Sequence, residues 1–350
     1  MPSRSTRALA LVALGALLPL PALTQGAPPS TAKGKPPLVL KDFGSFFVNG
    51  TVITTNFPNA PAMGTPVPGR IVVNQMYVQY LIPEKTNPKL YPVIMVHGSG
   101  HTGKTYETTP DGREGWATYF VRHGVPVYVV DQAGRARSSF DQTPINQAKF
   151  ESNPALIPAG GFVRFTHVNA WSVFRFGPTP DVWWGDTQFP KEALDQYLAQ
   201  LVPNTEVTLV GGARVNTVNG MIALLDKIGP AIVMVHSQSG IFGSLTSIAR
   251  PNLVRAFVDV EGTAACQLTQ PQIDTLAQVP TLVVAGDHGW PGEAFCRPLV
   301  DALNAAGGNA YFFAIYEHLG RGNTHMLMLD RNNLEIADWI LGWLENNAKH

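Results

Sequence analysis

The residues of this chain best suited to chemistry lie in the segment Val235-His236-Ser237-Gln238-Ser239-Gly240. The residues before Ser237 form a short, β-branched, uncharged run, which is typical of a buried parallel strand. Small residues and an apolar pattern at helical spacing follow, until Pro251 ends the pattern. A strand-to-helix turn of this kind, a nucleophile elbow, exposes the serine hydroxyl above a helix N-terminus. Because Val235 and Ser239 replace the two usual glycines, an ordinary strand-helix turn is the alternative interpretation.

A serine hydroxyl becomes an effective nucleophile only when a base takes its proton and an acid supports that base. The base is expected in the last strand-to-helix connection, which contains two histidines, His318 and His325. His325 precedes the C-terminal helical pattern and is the predicted base. His318 directly follows a predicted strand and is expected to have a structural role.

Two carboxylates compete for the role of the supporting acid. Glu261 ends the sixth predicted strand, and Asp287 follows the seventh, in Ala285-Gly-Asp-His288. Both strand ends point to the same rim of the sheet, so spacing alone does not decide between them. Each would need a partner to offset its desolvation at the end of an apolar strand.

Two backbone N–H groups are needed to stabilise the oxyanion that forms when a serine attacks a carbonyl group. Gln238, the residue after the serine, is expected to provide one. The other is expected from His97-Gly98-Ser99-Gly100, where glycines let the backbone turn inward and Ser99 is the predicted donor. This loop lacks the Gly-Lys-Ser/Thr ending of a phosphate-binding loop, and His97 is expected to be a buried hydrogen-bonding residue.

The elements that must position these residues follow an alternating order of strands and helices. This order predicts an α/β fold with a mostly parallel twisted sheet and helices on both faces. An antiparallel start is predicted over 38–56 and 71–82. Parallel strands are predicted over 92–96, 125–130, 231–235, 254–260, 281–285 and 310–316, and helices over 115–123, 296–306 and 334–344.

A long interruption, about 139–221, precedes the strand of the candidate nucleophile. It is rich in proline, glycine and aromatic residues, including Trp171, Trp183 and Trp184. Long insertions in compact domains tend to be functional, so this segment is predicted to be a lid over the site. A surface excursion that packs its own aromatic residues is the alternative.

Composition excludes several classes of partner. Lys+Arg and Asp+Glu are both 25, and the absence of a basic cluster argues against nucleic acid as a partner.

The two cysteines, Cys266 and Cys296, are expected to form a disulfide bond in an oxidising compartment. The sequence contains no Cys/His cluster at metal-binding spacing, so a structural zinc is not expected.

The N-terminal residues 1–26 are predicted to be a signal peptide. Arg4 and Arg7 precede an apolar run over 8–18, and small residues follow. The run is shorter than the ~20 residues of a membrane-spanning helix, so no stable membrane anchor is predicted. Residues 27–37 are interpreted as a flexible leader and 38–350 as one domain that includes the insertion. The protein is therefore expected to be secreted or periplasmic.

Four segments in their order along the chain resemble those of α/β-hydrolases, and the resemblance covers essentially the whole mature chain. They are His97-Gly-Ser-Gly100, Asp131-Gln-Ala-Gly-Arg-Ala-Arg-Ser138, the candidate elbow and Asn323-Thr-His325. A closer resemblance is to a small group of secreted bacterial esterases. It rests on Tyr106-Glu-Thr-Thr-Pro-Asp-Gly-Arg113-Glu-Gly-Trp116, His236-Ser-Gln-Ser-Gly240, Val260-Glu-Gly262, Gly286-Asp-His288 and Asp330-Arg-Asn-Asn333.

The resemblance to these esterases implies a choice between the two acids. In that group the acid is a glutamate after the sixth strand even though Gly-Asp-His is also present, which favours Glu261 over Asp287. One departure concerns the oxyanion loop, since the type member of the group has two adjacent cysteines where this chain has Ser99-Gly100. Special rigidity or redox behaviour of that loop is therefore not carried over.

The function implied is that of a serine carboxylesterase acting on a small-molecule ester without a cofactor. Ser237 would be the nucleophile, His325 the base and Glu261 the acid. Amides, lactones and polyesters are alternative substrates for the same machinery, and a non-catalytic binding protein on this fold is the alternative outside enzymes. The acyl and alcohol groups remain open, as does the oligomeric state, for which a homodimer is one option.

Overall fold

The computed structural model describes residues 36–157, 162–204 and 212–348, with only the backbone described at 212–214. The predicted signal peptide, 1–26, and all but the last two residues of the predicted leader, 27–37, lie outside these residues. None of the helices described is both long and apolar enough to cross a membrane.

Eight strands in the described part of the chain form one mixed sheet, in the order β1-β2-β4-β3-β5-β6-β7-β8. The strand β1 pairs antiparallel with β2, and β2 pairs antiparallel with β4, whereas the remaining pairs are parallel. The strands are β1 Leu40–Thr55, β2 Gly69–Pro83, β3 Val93–Val96, β4 Val127–Asp131, β5 Ala231–His236, β6 Val254–Val260, β7 Thr281–Ala285 and β8 Ala310–Ala314. The predicted α/β fold with a mostly parallel sheet is confirmed.

Helices pack on both faces of this sheet. They are α1 Trp116–Arg122, α2 Thr143–Phe150, α3 His167–Val173, α4 Leu194–Ala199, α5 Gly212–Ile228, α6 Gly240–Ala249, α7 Gln270–Leu276, α8 Glu293–Ala305, α9 Ile315–His318 and α10 Asn333–Asn347. Helices α1 and α10 contribute to the core on one face, and α5, α6 and α8 to the core on the other.

The central strand β5 shows why both faces must be covered. Its residues alternate between the two cores: Ile232 and Met234 belong to one, and Val233 and Val235 to the other. All four are fully buried. Since burying a side chain of this size contributes about 1.5–3 kcal/mol, an uncharged β-branched strand is most stable in the middle of such a sheet.

Most of the elements differ from their predicted bounds by one to three residues at one or both ends. The strand predicted over 310–316 ends at Ala314, because Ile315–His318 forms a short helix, in which His318 stacks on Phe313 with ring centroids 5.3 Å apart. The helix predicted over 296–306 begins at Glu293. Apolar periodicity indicates the core of an element better than its ends, where few side chains are buried.

The insertion predicted over 139–221 divides into two parts of different character. Its last part belongs to α5, which packs against β1, β2 and α6 and buries Met221 in the core. The earlier described part contains α2, α3 and α4 and a cluster of aromatic residues. In that cluster Trp171, Phe174 and Phe176 are at most 1% exposed, so much of the aromatic content packs within the protein.

Candidate active site

Ser237 lies at the end of β5, where the chain turns sharply into α6. Its φ is +54°, in the left-handed region that a non-glycine residue rarely adopts. A short 3-10 turn, Ser237–Ser239, connects the strand to the helix. A nucleophilic serine held in a strained turn between strand and helix is the geometry of a nucleophile elbow.

The two departures from Gly-x-Ser-x-Gly are accommodated by neighbouring residues. Gly243, one turn into α6, leaves room for Val235, because a Cβ there would lie 2.8 Å from Val235 Cγ1. The Ser239 hydroxyl is buried, donates to the His97 carbonyl at 2.6 Å and accepts from Gln132 Nε2 at 2.7 Å. The turn therefore forms without glycine at either position.

His325 connects Ser237 to Glu261. Its Nε2 lies 2.7 Å from Ser237 Oγ, and its Nδ1 contacts Glu261 Oε2. A proton on Nδ1, donated to the carboxylate, leaves Nε2 free to accept the serine proton. The arrangement therefore has the order nucleophile, base and acid that acyl transfer requires.

The Glu261 carboxylate is buried but fully engaged. Its Oε1 accepts hydrogen bonds from Arg175 Nη2 and from the Gly286 backbone N–H, both at 2.6 Å. Burial by itself would raise the pKa of Glu261, but Arg175 and His325 together lower it to about 2. Glu261 is therefore ionised at neutral pH, as a group that stabilises an imidazolium must be.

Asp287 is held elsewhere. Its carboxylate accepts from the backbone N–H groups of His288, at 2.7 Å, and Gly322, at 3.2 Å, and pairs with Arg321. It thus caps the turn at 286–289 and ties it to the segment before His325. The geometric test that separates the two acids, contact with a His325 ring nitrogen, is met by Glu261.

The segment that carries His325 is anchored by Asp330. This carboxylate accepts three hydrogen bonds, from the Asn323 side chain at 3.0 Å and from the Thr324 backbone and hydroxyl at 2.8 and 2.9 Å. The Phe174 carbonyl accepts from the His325 backbone N–H at 3.0 Å. The imidazole is therefore fixed both by its own loop and by the insertion.

The predicted oxyanion donors, Ser99 and Gln238, both border the cavity beside Ser237. The loop of Ser99 approaches very closely, since a Cβ on Gly98 would lie 2.9 Å from Ser237 Cβ. Only glycine allows that approach. Asn204 holds the loop from outside, donating to Ser99 Oγ at 2.8 Å and accepting from the Gly100 N–H at 2.9 Å. The role of the two N–H groups stays a prediction.

His97 lies beneath this loop. It is fully buried, its Nδ1 lies 2.9 Å from the Gly98 carbonyl, and its Nε2 accepts from the Gln132 N–H at 3.1 Å. Burial, aided by the nearby Arg135 charge, lowers the pKa of His97 to about 3. A neutral imidazole with both nitrogens occupied has the hydrogen-bonding role expected from the sequence.

Arg175 is a residue of the site that the sequence did not reveal. It follows α3, and its Nε donates to the Asp287 carbonyl at 3.0 Å while its Nη2 contacts Glu261. The only signal in the sequence is a charged residue between two aromatic ones, Phe174 and Phe176. Such a charge is buried only with a partner, and here the partner is the Glu261 carboxylate.

The cavity above Ser237 has a volume of about 970 Å³, enough for a substrate of drug-like size. The insertion and the main body of the domain both line it. At its border the Trp184 ring stacks on His288, with centroids 4.4 Å apart. The lining residues are Ser99, Ser172, Val173, Arg175, Gly177, Pro178, Trp184, Ser237, Gln238, Ile241, Glu261, Thr263, Ala264, Gln267, His288, Gly289, Trp290, Pro291 and His325.

Two groups of potential metal ligands occur among the described residues. In Asp259, Cys266 and Cys296 the two thiols are joined in a disulfide bond. In the second group, which contains Asp186, Asp287 and His288, the Asp287 carboxylate is already paired with Arg321. Neither donor set is suited to a metal ion, because a disulfide is a poor ligand and a guanidinium opposes a cation.

Comparison with known proteins identifies the superfamily to which this chain belongs. No family model matches the sequence. A solved structure, described as the atomic resolution structure of a novel bacterial esterase, is 38% identical, covers 90% of this chain and 98% of its own, and superposes with a TM-score of 0.82. A probable secreted lipase, phiG, from Fungal sp. (strain ATCC 74256), is 29% identical over 329 residues, 77% of this chain and 85% of its own length. With this similarity and a nucleophile elbow at the end of β5, the chain belongs to the α/β-hydrolase superfamily.

Proposed function

We propose that this chain is an exported serine carboxylesterase that works through an acyl-enzyme with the triad Ser237, His325 and Glu261. Its class, carboxylic ester hydrolase, follows from 38% identity to a bacterial esterase over 98% of that structure. The proposal adds the residues, the mechanism and the compartment. The observation that carries the mechanism is the 2.7 Å contact of Ser237 Oγ with His325 Nε2, together with the contact of His325 Nδ1 with Glu261.

The first half of the reaction forms the acyl-enzyme. Ser237 Oγ attacks the ester carbonyl carbon while His325 Nε2 takes the hydroxyl proton. The carbonyl π electrons move to oxygen, and this oxyanion accepts hydrogen bonds from the backbone N–H groups of Ser99 and Gln238. Glu261 stabilises the imidazolium. The intermediate then collapses, and the imidazolium gives its proton to the departing alkoxide oxygen.

The second half releases the acid. A water molecule attacks the acyl carbon while His325 takes one of its protons. The second tetrahedral intermediate collapses, the carboxylic acid leaves, and the proton on His325 returns to Ser237 Oγ. Every proton in the cycle is moved by one imidazole, so the protein groups complete the reaction without a cofactor.

The walls of the cavity favour an uncharged ester with a bulky substituent. Val173, Ile241 and Trp290 give it apolar surface, and Thr263 and Gln267 give neutral hydrogen-bonding groups. The charged side chains of Arg175 and Glu261 in the wall are already paired with each other, so a charged substituent would be buried there without a partner, at a cost in free energy. Amides, lactones and polyesters are alternative substrates of the same triad. An amide differs from the other three classes in its leaving group, which is an amine in place of an alcohol.

The experiment is a substrate panel with purified enzyme. It comprises p-nitrophenyl esters of increasing acyl length, aryl and phthalate esters, the matching p-nitroanilides and a simple lactone. We expect esters to be hydrolysed at least about 10²-fold faster than the matching anilides. Anilides or lactones turned over as fast as the esters would overturn this assignment of the substrate class.

The nucleophile is tested separately. Ser237→Ala removes the covalent step and is expected to lower ester turnover by several orders of magnitude with the fold intact. A fluorophosphonate should label Ser237, as peptide mass mapping would show. Labelling of a different serine, or substantial activity in the variant, would contradict the mechanism. If Ser237→Ala is folded and the fluorophosphonate does not label the wild-type protein, the alternative of a non-catalytic binding protein is favoured.

Export is supported by three observations: the predicted signal peptide over 1–26, the Cys266–Cys296 disulfide, and the 29% identical relative whose name describes it as secreted. Expression of the full chain in a bacterium, followed by fractionation and N-terminal sequencing, tests it. We expect the mature protein outside the cytoplasm, beginning near residue 27.

The oligomeric state is tested on the same material. Size-exclusion chromatography with light scattering distinguishes a monomer from a homodimer.

A further inference from the structure

Arg135 is a buried arginine that the reaction described above does not use. Its side chain is among the largest that the described core encloses, with 1% of its surface exposed. Burial lowers the pKa of Arg135 to about 9, so it carries its charge at neutral pH. Enclosing a guanidinium costs desolvation free energy that hydrogen bonds must offset. The acceptors of those hydrogen bonds therefore indicate what the residue does.

Two of the acceptors belong to the predicted oxyanion hole. Arg135 Nη1 donates to the Gly98 carbonyl at 2.9 Å, and Nη2 donates to Gln238 Oε1 at 3.1 Å. The first acceptor belongs to the peptide unit whose N–H is that of Ser99. The second belongs to the residue that provides the other N–H. One planar guanidinium thus joins two segments that are distant in sequence and that meet at Ser237.

The geometry of the peptide unit links the Arg135 contact to the direction of the Ser99 N–H. A trans peptide is planar, and its C=O and N–H groups point in opposite directions. Arg135 holds the Gly98 carbonyl toward the interior, so the Ser99 N–H of the same unit points away from Arg135. Ser99 borders the cavity, whereas Arg135 is not among the residues that line it.

We propose that Arg135 is a positioning residue of the oxyanion hole, fixing the Gly98–Ser99 peptide and Gln238 so that both N–H groups meet the oxyanion. The inference rests on the proposed function. The guanidinium also polarises the Gly98–Ser99 peptide, which strengthens the Ser99 N–H as a donor. Because Arg135 does not line the cavity, it acts through these two neighbours.

A purely structural role would have different consequences. Arg135 lies in the turn after β4, and its loss would then reduce stability and affect substrate binding and turnover alike. An oxyanion hole that is misaligned loses transition-state stabilisation alone, so kcat falls while KM stays nearly constant. Removal of one oxyanion donor typically lowers kcat by about 10²–10³-fold.

The experiment compares Arg135→Met, Arg135→Lys and the control Arg137→Lys. Arg137 belongs to the same turn, and its guanidinium pairs with Asp131 at 2.6 Å. We expect Arg135→Met to lower kcat by about 10²–10³-fold and Arg135→Lys by roughly tenfold or more, with KM within about threefold. Arg137→Lys should keep kcat within about threefold. Unfolding curves establish that each variant is folded.

The second readout is affinity for a trifluoromethyl ketone against that for an ether isostere of the substrate. The ketone forms a hemiketal: Ser237 Oγ bonds to the carbonyl carbon, the π electrons move to oxygen, and the proton goes to His325. We expect Arg135→Lys to lower the affinity for the ketone by the same factor as it lowers kcat/KM. The affinity for the ether should stay unchanged. Gln238→Ala removes the Oε1 acceptor but keeps the N–H, and it should show part of the same decrease in kcat and in ketone affinity. This variant provides the test if Arg135→Met does not fold.

Two results would overturn the inference. One is a kcat within about threefold of wild type in Arg135→Lys and Gln238→Ala, and the other is an equal loss of ketone and ether affinity. The failure of the proposed function is recognised separately in the wild-type enzyme. If the proposed function is wrong, Ser237 in the wild-type enzyme remains unlabelled by the fluorophosphonate. If Ser237 is labelled but the Arg135 variants keep their kcat, only this inference is rejected.

Discussion

Arg175 Nη2 lies 2.6 Å from Glu261 Oε1, so a residue of the insertion neutralises the carboxylate that contacts His325. The two residues are 86 positions apart, and their side chains are 9% and 0% exposed. The insertion therefore completes the electrostatics of the candidate triad as well as lining the cavity. A buried ion pair of this kind is costly to break, because the remaining charge is left without a partner.

Arg175→Met should destabilise the protein and change the pH profile. Loss of the guanidinium leaves Glu261 buried without its cation, which costs about 3–5 kcal/mol. Arg175 is also the charge that most lowers the pKa of Glu261, so without it Glu261 takes up a proton at higher pH and the acidic limb of the kcat/KM profile should move to higher pH. Thermal unfolding and pH–rate profiles measure both effects. Arg175→Lys should restore part of each, and an unchanged profile in a folded Arg175→Met would contradict this role.

The stability contributed by Glu261 should depend on pH in a defined window. Its pKa is lowered from 4.5 to about 2, so the folded state binds a proton less readily than the unfolded state. The contribution is therefore fully present above pH 4.5 and is lost as pH falls from 4.5 toward 2. Denaturant unfolding of wild type and Glu261→Gln over pH 2–8 tests this. The difference in unfolding free energy should be constant above about pH 5 and shrink below it; a difference that grows on acidification would refute the assignment.

Glu261→Gln and Asp287→Asn should have unequal effects on turnover. The first removes the charge that orients His325 and stabilises its imidazolium, and it should lower kcat by roughly 10²–10⁴-fold. The second affects a carboxylate bound to the Gly322 N–H and Arg321, and it should act mainly on stability, with kcat within about tenfold. Steady-state kinetics and melting temperatures of the two variants decide the matter. A larger loss of kcat in Asp287→Asn than in Glu261→Gln would assign the role of the acid to Asp287.

The Cys266–Cys296 disulfide should affect both the fold and the substrate site. It closes a separation of 30 residues, worth roughly 3–4 kcal/mol in the chain-entropy model. It also ties to α8 the short turn that brings Thr263 and Gln267 to the cavity wall. Cys266→Ser/Cys296→Ser should therefore melt at a lower temperature and have a raised KM with kcat less affected. Two free thiols in the unreduced mature protein, found by mass spectrometry, would remove the basis of this prediction.

The core strands were predictable because their information is local. A strand buried on both faces needs an uninterrupted apolar run, and the predicted bounds 254–260 and 281–285 coincide with β6 and β7. The same pattern located the end of β5 and hence Ser237. The insertion was less predictable, because its aromatic residues suit a lid and a core equally. Only packing shows that the last part of 139–221 is a helix of the domain body.

The sequence by itself therefore determined the α/β fold, the position of the serine and the small set of residues that can accompany it. Local patterns report burial, and burial restricts where a strand ends and where a polar residue can stand. The tertiary structure decided which carboxylate contacts His325 and brought Arg175 to Glu261 and Arg135 to the loop of Ser99. Those contacts join residues that are tens of positions apart, and they depend on the paths of loops, which carry no periodic signal.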